Sequence, residues 1–230
     1  MELVRVRLQA AEAVLPELTD FYAAHLGVQP VGDARFTIGE SELEFVPAPG
    51  APFYHFALLV PGDRFEAALE SAQQHITLLS DPETNGVVFD FSNWNALACY
   101  FEDPAGNIVE LIAHRDVARN GEQGKFAAQE LVGLSELGLV GDTCALERGL
   151  AHLDLRLWDG TVDEPGRLAF VGERARTLIL CPPGRGWLPT GRPAEPHAVH
   201  MVLSGFPAGE VGIGAHRIAR EPAVPEFSSA

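Results

Sequence analysis

The sequence predicts an α+β fold made of repeated units, each a strand, a helix and three further strands. Gly- and Pro-containing turns divide the chain into segments of similar order. The unit that starts at Phe53 shows this order most clearly, and the order recurs, less completely, before and after it. A hydrophobic content of 47% and a charged content of 21% are those of an ordinary soluble globular protein.

The clearest unit begins with the strand-like segment "FYHFALLV" at Phe53. The segment "DRFEAALESAQQ" has a helical period, because Phe65, Ala68, Leu69 and Ala72 share one face. The segments "GVVFDFS", "ALACYFED" and "IVELIAH" then predict three more strands, with the turn "PAGN" before the last one.

Three further copies are predicted around this unit. The first fifty residues contain a strand in "LVRVRLQA", a helix in "LPELTDFYAAHLG" that Gly27 is placed to end, and strands in "ARFTIG" and "SELEFV". A third copy begins near Leu131 with the strand "LVGLSELGLV", followed by the helix "TCALERGLAHLDL" and the strands "LAFVGE" and "TLILCPPG". A fourth, degraded copy runs from "HAVHMVLSG" to "GAHRIAR", with most of its helix missing.

The formal net charge is −16, from 32 acidic and 16 basic side chains. A surface this negative repels phosphate backbones and anionic lipids, so no nucleic-acid or membrane partner is expected. The N-terminal segment has no secretory-signal pattern, and no apolar run approaches about 20 residues. Cys99, Cys144 and Cys181 are far apart and form no Cys-x-x-Cys pair, so neither a disulfide framework nor a thiolate-zinc site is expected. We expect a cytoplasmic protein.

Two polar residues stand in otherwise apolar predicted strands, His55 in "YHFALLV" and Glu110 in "IVELIAH". A strand that is buried on both faces carries a carboxylate only where a partner satisfies it. His55 is therefore either a hydrogen-bonded core histidine or a ligand. Glu110 is either a metal ligand or the partner of the guanidinium of Arg5 or Arg7.

The motifs "FYHFALLVPGDRFEAAL" and "YFEDPAGNIVEL" resemble the vicinal oxygen chelate superfamily, which includes glyoxalase I, extradiol ring-cleaving dioxygenases and bleomycin-resistance proteins. The resemblance implies paired βαβββ modules that form cupped mixed sheets, with two module pairs per chain and the second pair degenerate. The first pair, a glyoxalase-like domain, would occupy residues 1–118 and the second pair residues 131–220. A polar linker at 119–130 would join them, and a tail would follow at 221–230.

In metal-dependent relatives the ligands come from the first and last strands of the paired modules. Matched by position, the resemblance implies His55, Glu110 and Glu44 as ligands, with Glu110 or Glu44 also acting as the catalytic base. The fourth ligand place falls near Arg5, which has no acceptor atom and cannot bind a metal. One imidazole and two carboxylates suit a divalent ion of Fe, Mn, Ni, Co or Zn.

Three residues are expected to line the same cavity and to contact the substrate: Arg5, Trp94 and Tyr100. Trp94 and Tyr100 lie on or beside strands of the second unit, where aromatic residues are otherwise simply core. Leu178 takes in the third unit the place that Glu44 has in the first, so the second module pair is expected to have fewer metal ligands than the first. A purely structural role for the second pair is the alternative.

The resemblance implies an enzyme that uses a divalent metal to chelate vicinal oxygens of a small-molecule substrate, as an isomerase, a lyase or an oxygenase. The alternative is a metal-free protein of the bleomycin-resistance type, which binds or sequesters a small molecule while Arg5 neutralises the carboxylates. Many relatives are dimers, so the resemblance also allows a homodimer.

Overall fold

The computed structural model describes residues 1–117 and 119–222, and its elements follow the predicted order of units. Module one comprises β1 (Leu3–Ala11), α1 (Leu15–His25), β2 (Pro30–Gly32), β3 (Arg35–Ile38) and β4 (Ser41–Ala48). Module two comprises β5 (His55–Leu59), α2 (Phe65–His75), β6 (Leu78–Leu79), β7 (Phe89–Phe91), β8 (Ala96–Glu102) and β9 (Ile108–His114). Gly27, with φ of +71°, follows the first helix in the predicted left-handed conformation.

The second half of the chain repeats this order with losses. Module three comprises β10 (Gly133–Val140), α3 (Thr143–Ala151), β11 (Leu157–Gly160), β12 (Ala169–Glu173) and β13 (Arg176–Cys181). A short hairpin follows, made of β14 (Gly186–Trp187) and β15 (Arg192–Pro193). Module four comprises β16 (His200–Ser204), β17 (Gly209–Ile213) and β18 (His216–Glu221), and its described stretch has no helix, as predicted. Single 3₁₀ turns lie at Glu12–Val14, Ser92–Trp94 and Ala128–Glu130.

The strands form two large mixed sheets, which confirms the predicted α+β class. One sheet has the order β17-β18-β16-β1-β4-β3-β2, and the other has the order β11-β12-β13-β10-β5-β9-β8-β6, with β7 also paired to β8. Within each module the first and last strands are parallel neighbours. Between modules, β1 pairs antiparallel with β16, and β5 pairs antiparallel with β10.

The pairing of modules differs from the expected one. We expected modules one and two to pair within residues 1–118 and modules three and four within 131–220, but module one pairs with module four and module two with module three. Each sheet therefore takes strands from both halves of the chain. The reason is that the edge of β5 that does not contact β9 forms its backbone hydrogen bonds with β10, whereas the corresponding edge of β1 forms them with β16. Strand patterns show which segments are strands but not which edges meet.

The segment 119–130, predicted as a linker, connects two modules of the same sheet. It is tied down, because the buried Arg64 beside α2 donates from Nε to Glu130 at 2.6 Å and from Nη2 to the Gly124 carbonyl oxygen at 3.0 Å. Most of the predicted tail at 221–230 lies outside the described residues. In the described part of the chain, no helix is both long and apolar enough to cross a membrane.

The predicted "DPAGN" turn holds the first strand of module two in place. The Asp103 carboxylate accepts from the backbone N–H of Ala105 and Asn107, from the Asn107 side chain and from the Tyr22 hydroxyl of module one. The Asn107 side-chain oxygen accepts from the backbone N–H of Tyr54 at 2.8 Å. The turn therefore sets the register between β5 and β9, which brings the next residue, His55, opposite Ile108.

The three central strands β5, β9 and β10 are buried along their whole length. Continuous apolar segments predict strands that are covered on both faces. A polar side chain in these strands must find its partners inside the protein. His55, Glu110 and Glu136 are such residues.

Candidate functional site

His55 and Glu110 face one cavity on one side of the sheet formed by modules two and three. The parallel pairing sets His55 opposite Ile108 and Ala57 opposite Glu110, which places the two polar side chains on the same face. His55 is 6% exposed and Glu110 2% exposed. The His55 Nε2 atom lies 3.6 Å from the Glu110 Oε2 atom.

Glu136 is the third member of the cluster. It lies on β10, opposite Ala57 of β5, and is 3% exposed. One nitrogen of His55 and one carboxylate oxygen each of Glu110 and Glu136 all lie within 4.8 Å of one another. Our sequence reasoning missed Glu136, although it stands in "LVGLSELGLV" as Glu110 stands in "IVELIAH", as the single carboxylate of an apolar strand.

The hydrogen bonds leave acceptor atoms of the cluster without a donor. His55 Nδ1 lies 3.0 Å from the Ile108 carbonyl oxygen, so Nδ1–H donates and Nε2 keeps a free lone pair. Glu136 Oε1 is buried and has no hydrogen-bond partner in the described part of the chain. Neutral imidazole nitrogen and carboxylate oxygen are the ligand atoms of Zn and of similar divalent ions.

The electrostatics of the cluster call for a cation. Burial raises the pKa of Glu136 to about 8. Burial, together with the charge of Glu136, raises the pKa of Glu110 well above its usual range. Burial lowers the pKa of His55 to about 4, so its ring is neutral at pH 7. Two buried carboxylates share one site that is unfavourable to both of their charges, and a divalent cation between them would remove this penalty. The three residues therefore fit a divalent metal.

The fourth ligand position is filled by an apolar residue. In module two, Ile108 lies opposite His55, and Glu110 is the residue two positions after Ile108. In module three, Thr177 lies opposite Glu136, and the residue two positions further on is Ile179, which lines the same cavity. A metal held by three protein side chains keeps coordination positions open for water or a substrate.

Glu44 and Arg5 are not at this site, which corrects the predictions made for both residues. Glu44 lies on β4 of the other sheet, where it accepts from Arg7 Nε at 2.7 Å. Arg5 lies on the same sheet, 3.6 Å from Glu221 and with its side chain 56% exposed. The physical reason is that module one pairs with module four. The predicted ligand and base role of Glu44, the predicted contact of Arg5 with a substrate in this cavity, and the predicted pairing of Arg5 or Arg7 with Glu110 are therefore wrong.

The cluster lies in a cavity of about 500 Å³ whose walls are largely aromatic and aliphatic. Trp94 and Tyr100 line this cavity, and their part in substrate binding stays a prediction. The Trp187 ring of the short hairpin lies 5.0 Å from the His55 ring, measured between centroids. The Trp94 ring meets the Phe170 ring edge-on at 4.7 Å. Polar groups gathered at one point of an apolar cavity are typical of a small-molecule site.

Comparisons with known proteins concern the fold. No family model matches the chain, and no curated protein matches it. A candidate dioxygenase from Bacillus subtilis aligns with a TM-score of 0.57 at 13% identity, over 96% of this chain and 86% of its own. A variant of glyoxalase I from Zea mays aligns with a TM-score of 0.53 at 13% identity, over 87% of this chain and 75% of its own. This chain has the vicinal oxygen chelate fold, as the sequence resemblance implied.

Proposed function

We propose that this protein is a metal-dependent enzyme of the glyoxalase-like or dioxygenase-like kind. His55, Glu110 and Glu136 would hold one divalent cation. The observation that carries this proposal is the presence of three buried ligand atoms, one each from His55, Glu110 and Glu136, within 4.8 Å of one another. A cation held by these three residues would supply Lewis-acid chemistry, the polarisation of oxygen atoms of a small molecule.

The ligand set favours proton transfer over oxygen chemistry. Non-haem iron oxygenases use two histidines and one carboxylate, whereas this site has one histidine and two carboxylates. A second carboxylate beside a polarised carbonyl supplies a base, and Glu136 Oε1 is free to accept a proton from the carbon next to the bound oxygens. Ile179 and Ile112 line the same cavity and make part of its wall apolar. An isomerase or a lyase is the activity that these features support best.

Elemental analysis tests the proposal directly. The protein is purified without chelators or a histidine tag, together with His55→Ala, Glu136→Gln and Glu44→Gln. We expect about one transition metal per chain in the wild type and in Glu44→Gln, because Glu44 lies on the other sheet, and little metal in the other two variants. A wild type that takes up no Zn, Mn, Ni, Co or Fe on titration would refute the proposal, as would full occupancy of His55→Ala.

The alternative of a metal-free binding protein rested on two features, Arg5 and the degraded second module pair. Arg5 no longer supports it, because Arg5 lies on the other sheet beside Glu221. The same metal analysis distinguishes the two functions, since a metal-free binding protein would show no stoichiometric ion.

A further inference from the structure

Arg185 places a positive charge in the wall of the cavity. It lies between β13 and β14, two residues before Trp187, whose ring packs on His55. Its Nε–H donates to the Gly166 carbonyl oxygen at 3.2 Å, and Nη1 donates to the Gly186 carbonyl oxygen at 2.8 Å. Two backbone carbonyls therefore fix the guanidinium, and three of its five N–H groups remain for another partner.

No carboxylate in the described part of the chain forms an ion pair with Arg185. Most arginines of the protein have such a partner, as Arg64 has in Glu130 and Arg174 in Asp116. Among the described residues that line the cavity, Arg185 is the one arginine, and there is no lysine. The cavity also contains Asp90, but that carboxylate accepts from Ser92 at 2.7 Å and lies 3.5 Å from Arg115.

The charges of the cavity then favour a ligand with one negative charge. With a divalent cation bound, Glu110 and Glu136 would both be ionised, and their two negative charges would balance the cation. Arg185 leaves one positive charge that nothing in the described cavity wall offsets. A guanidinium held in a partly buried site binds a carboxylate through charge-assisted hydrogen bonds, which are about twice as strong as neutral ones.

The remaining wall suits a flat apolar body. Phe91, Trp94 and Phe170 all line the cavity, and the Trp94 and Phe170 rings meet at 88° to form an aromatic corner. Ring stacking or edge contacts with such residues stabilise a bound ring beyond the burial of its area.

We propose that Arg185 forms an anion subsite, so that the molecule bound here carries a carboxylate in addition to the vicinal oxygens held at His55, Glu110 and Glu136. Its apolar body lies against Trp94 and Phe170. The position of the vicinal oxygens rests on the proposed function, whereas the carboxylate subsite rests on Arg185 alone. The substrate class is then a small ring-containing carboxylic acid with two adjacent oxygens.

Two probes that differ only in charge test this subsite. 3,4-Dihydroxybenzoate and 3,4-dihydroxybenzamide share a ring and two adjacent oxygens, but only the first is an anion. Their binding to the zinc-loaded protein is measured by calorimetry and by quenching of tryptophan fluorescence. We expect the benzoate to bind at least about tenfold more tightly, because its carboxylate can form a charge-assisted hydrogen bond with Arg185 and the amide cannot.

The variants identify the residue responsible. Arg185→Gln should abolish the preference for the anion while keeping the zinc stoichiometry, and Arg185→Lys should keep part of it. Arg148→Gln is the matched control, because Arg148 is an exposed arginine of α3 that lies outside the cavity. Equal affinities of the two probes for the wild type would overturn the subsite, as would an unchanged preference in Arg185→Gln or a failure of both probes to bind.

The outcomes for zinc and for the anion are separable. If zinc does not bind, the proposed function fails, and the subsite is then tested on the metal-free protein with benzoate against benzamide. Benzoate that binds more tightly, and loses this advantage in Arg185→Gln, would support the subsite without the metal. If zinc binds at one per chain and charge makes no difference to the probes, the subsite alone is wrong.

Discussion

The carboxylates of Glu110 and Glu136 come from different modules and meet with His55 at one point, each with an oxygen within the same 4.8 Å cluster. Their strands β9 and β10 are not neighbours, because β5 lies between them. The antiparallel contact of β5 with β10 places Glu136 beside Ala57, and the parallel contact of β5 with β9 places Glu110 beside Ala57 from the other side. Ala57 has a small side chain, so both carboxylates fit over it.

Divalent cations should stabilise the protein through this pair. At a cation concentration of about 100 times Kd, binding adds about 2.7 kcal/mol to the free energy of unfolding. For a chain of this length that corresponds to a rise in Tm of roughly 5–10 °C. Thermal unfolding with and without Zn²⁺ or Mn²⁺ measures the shift. Glu136→Gln should lose it, whereas Glu44→Gln should keep it, and a full shift in Glu136→Gln would contradict the site.

Metal affinity should increase with pH. In the metal-free protein, burial raises the pKa of Glu136 to about 8, so this carboxyl group holds a proton at pH 7 that the cation must displace. Burial lowers the pKa of His55 to about 4, so His55 does not compete for protons above pH 5. The dissociation constant for Co²⁺, followed by its absorption, should fall by at least about tenfold per pH unit between pH 6 and 7, because the raised pKa values of Glu136 and Glu110 mean that at least one proton is displaced. An affinity that is constant over this range would contradict the assignment.

The stability of the metal-free protein should change in the opposite direction. The pKa of Glu136 in the folded state, about 8, lies above the ordinary glutamate value of 4.5, so the neutral group favours the folded state. That contribution is present below pH 4.5 and is lost as the pH rises through 8. Urea unfolding with a chelator present should show that Glu136→Gln gains about 2 kcal/mol relative to the wild type between pH 6 and pH 8. A constant difference would show that Glu136 is ionised throughout.

His55 and Glu110 could be predicted as a pair because their strands belong to the same module. The order strand, helix, three strands brings the first and last strands of a module together as parallel neighbours, and the turn before Ile108 sets their register. Glu136 has the same signature in its strand, yet its place depends on which module edges meet. Apolar strands that are buried on both faces carry no sign of their partner, so the contact of β5 with β10 could not be derived.

Glu44 shows the limit of matching by position. Its strand, "SELEFV", alternates polar and apolar residues, and in the structure Ser41, Leu43 and Phe45 are buried while Glu42 and Glu44 are only half-buried. Such alternation is typical of a strand with one solvated face. The pattern of the strand was therefore the better indicator, since it predicts a glutamate near solvent.

The side chain of Asn107 should stabilise the fold through the turn that orders β5. Its Oδ1 accepts from the buried Tyr54 N–H, and its Nδ2 donates to Asp103 at 2.8 Å. Asn107→Ala leaves both groups without that partner, which costs about 1–3 kcal/mol for each group that stays unsatisfied. Urea unfolding measures the loss, with Gln74→Ala on the exposed side of α2 as the control. A loss no greater than that of the control would show that the turn does not depend on this side chain.

Gly138 is required because the Trp187 ring occupies the place of its missing side chain. A Cβ atom on Gly138 would lie 2.7 Å from the Cη2 atom of Trp187, closer than such atoms approach. Gly138→Ala should therefore displace the ring that packs on His55, with a cost to stability of about 1–3 kcal/mol. Trp187→Phe removes the atoms that clash, so the double variant should be more stable than the sum of the two single changes predicts. Chemical denaturation of the four proteins gives the coupling energy directly. Additive effects would mean that the backbone, rather than the Trp187 ring, shifts to accommodate the added methyl group.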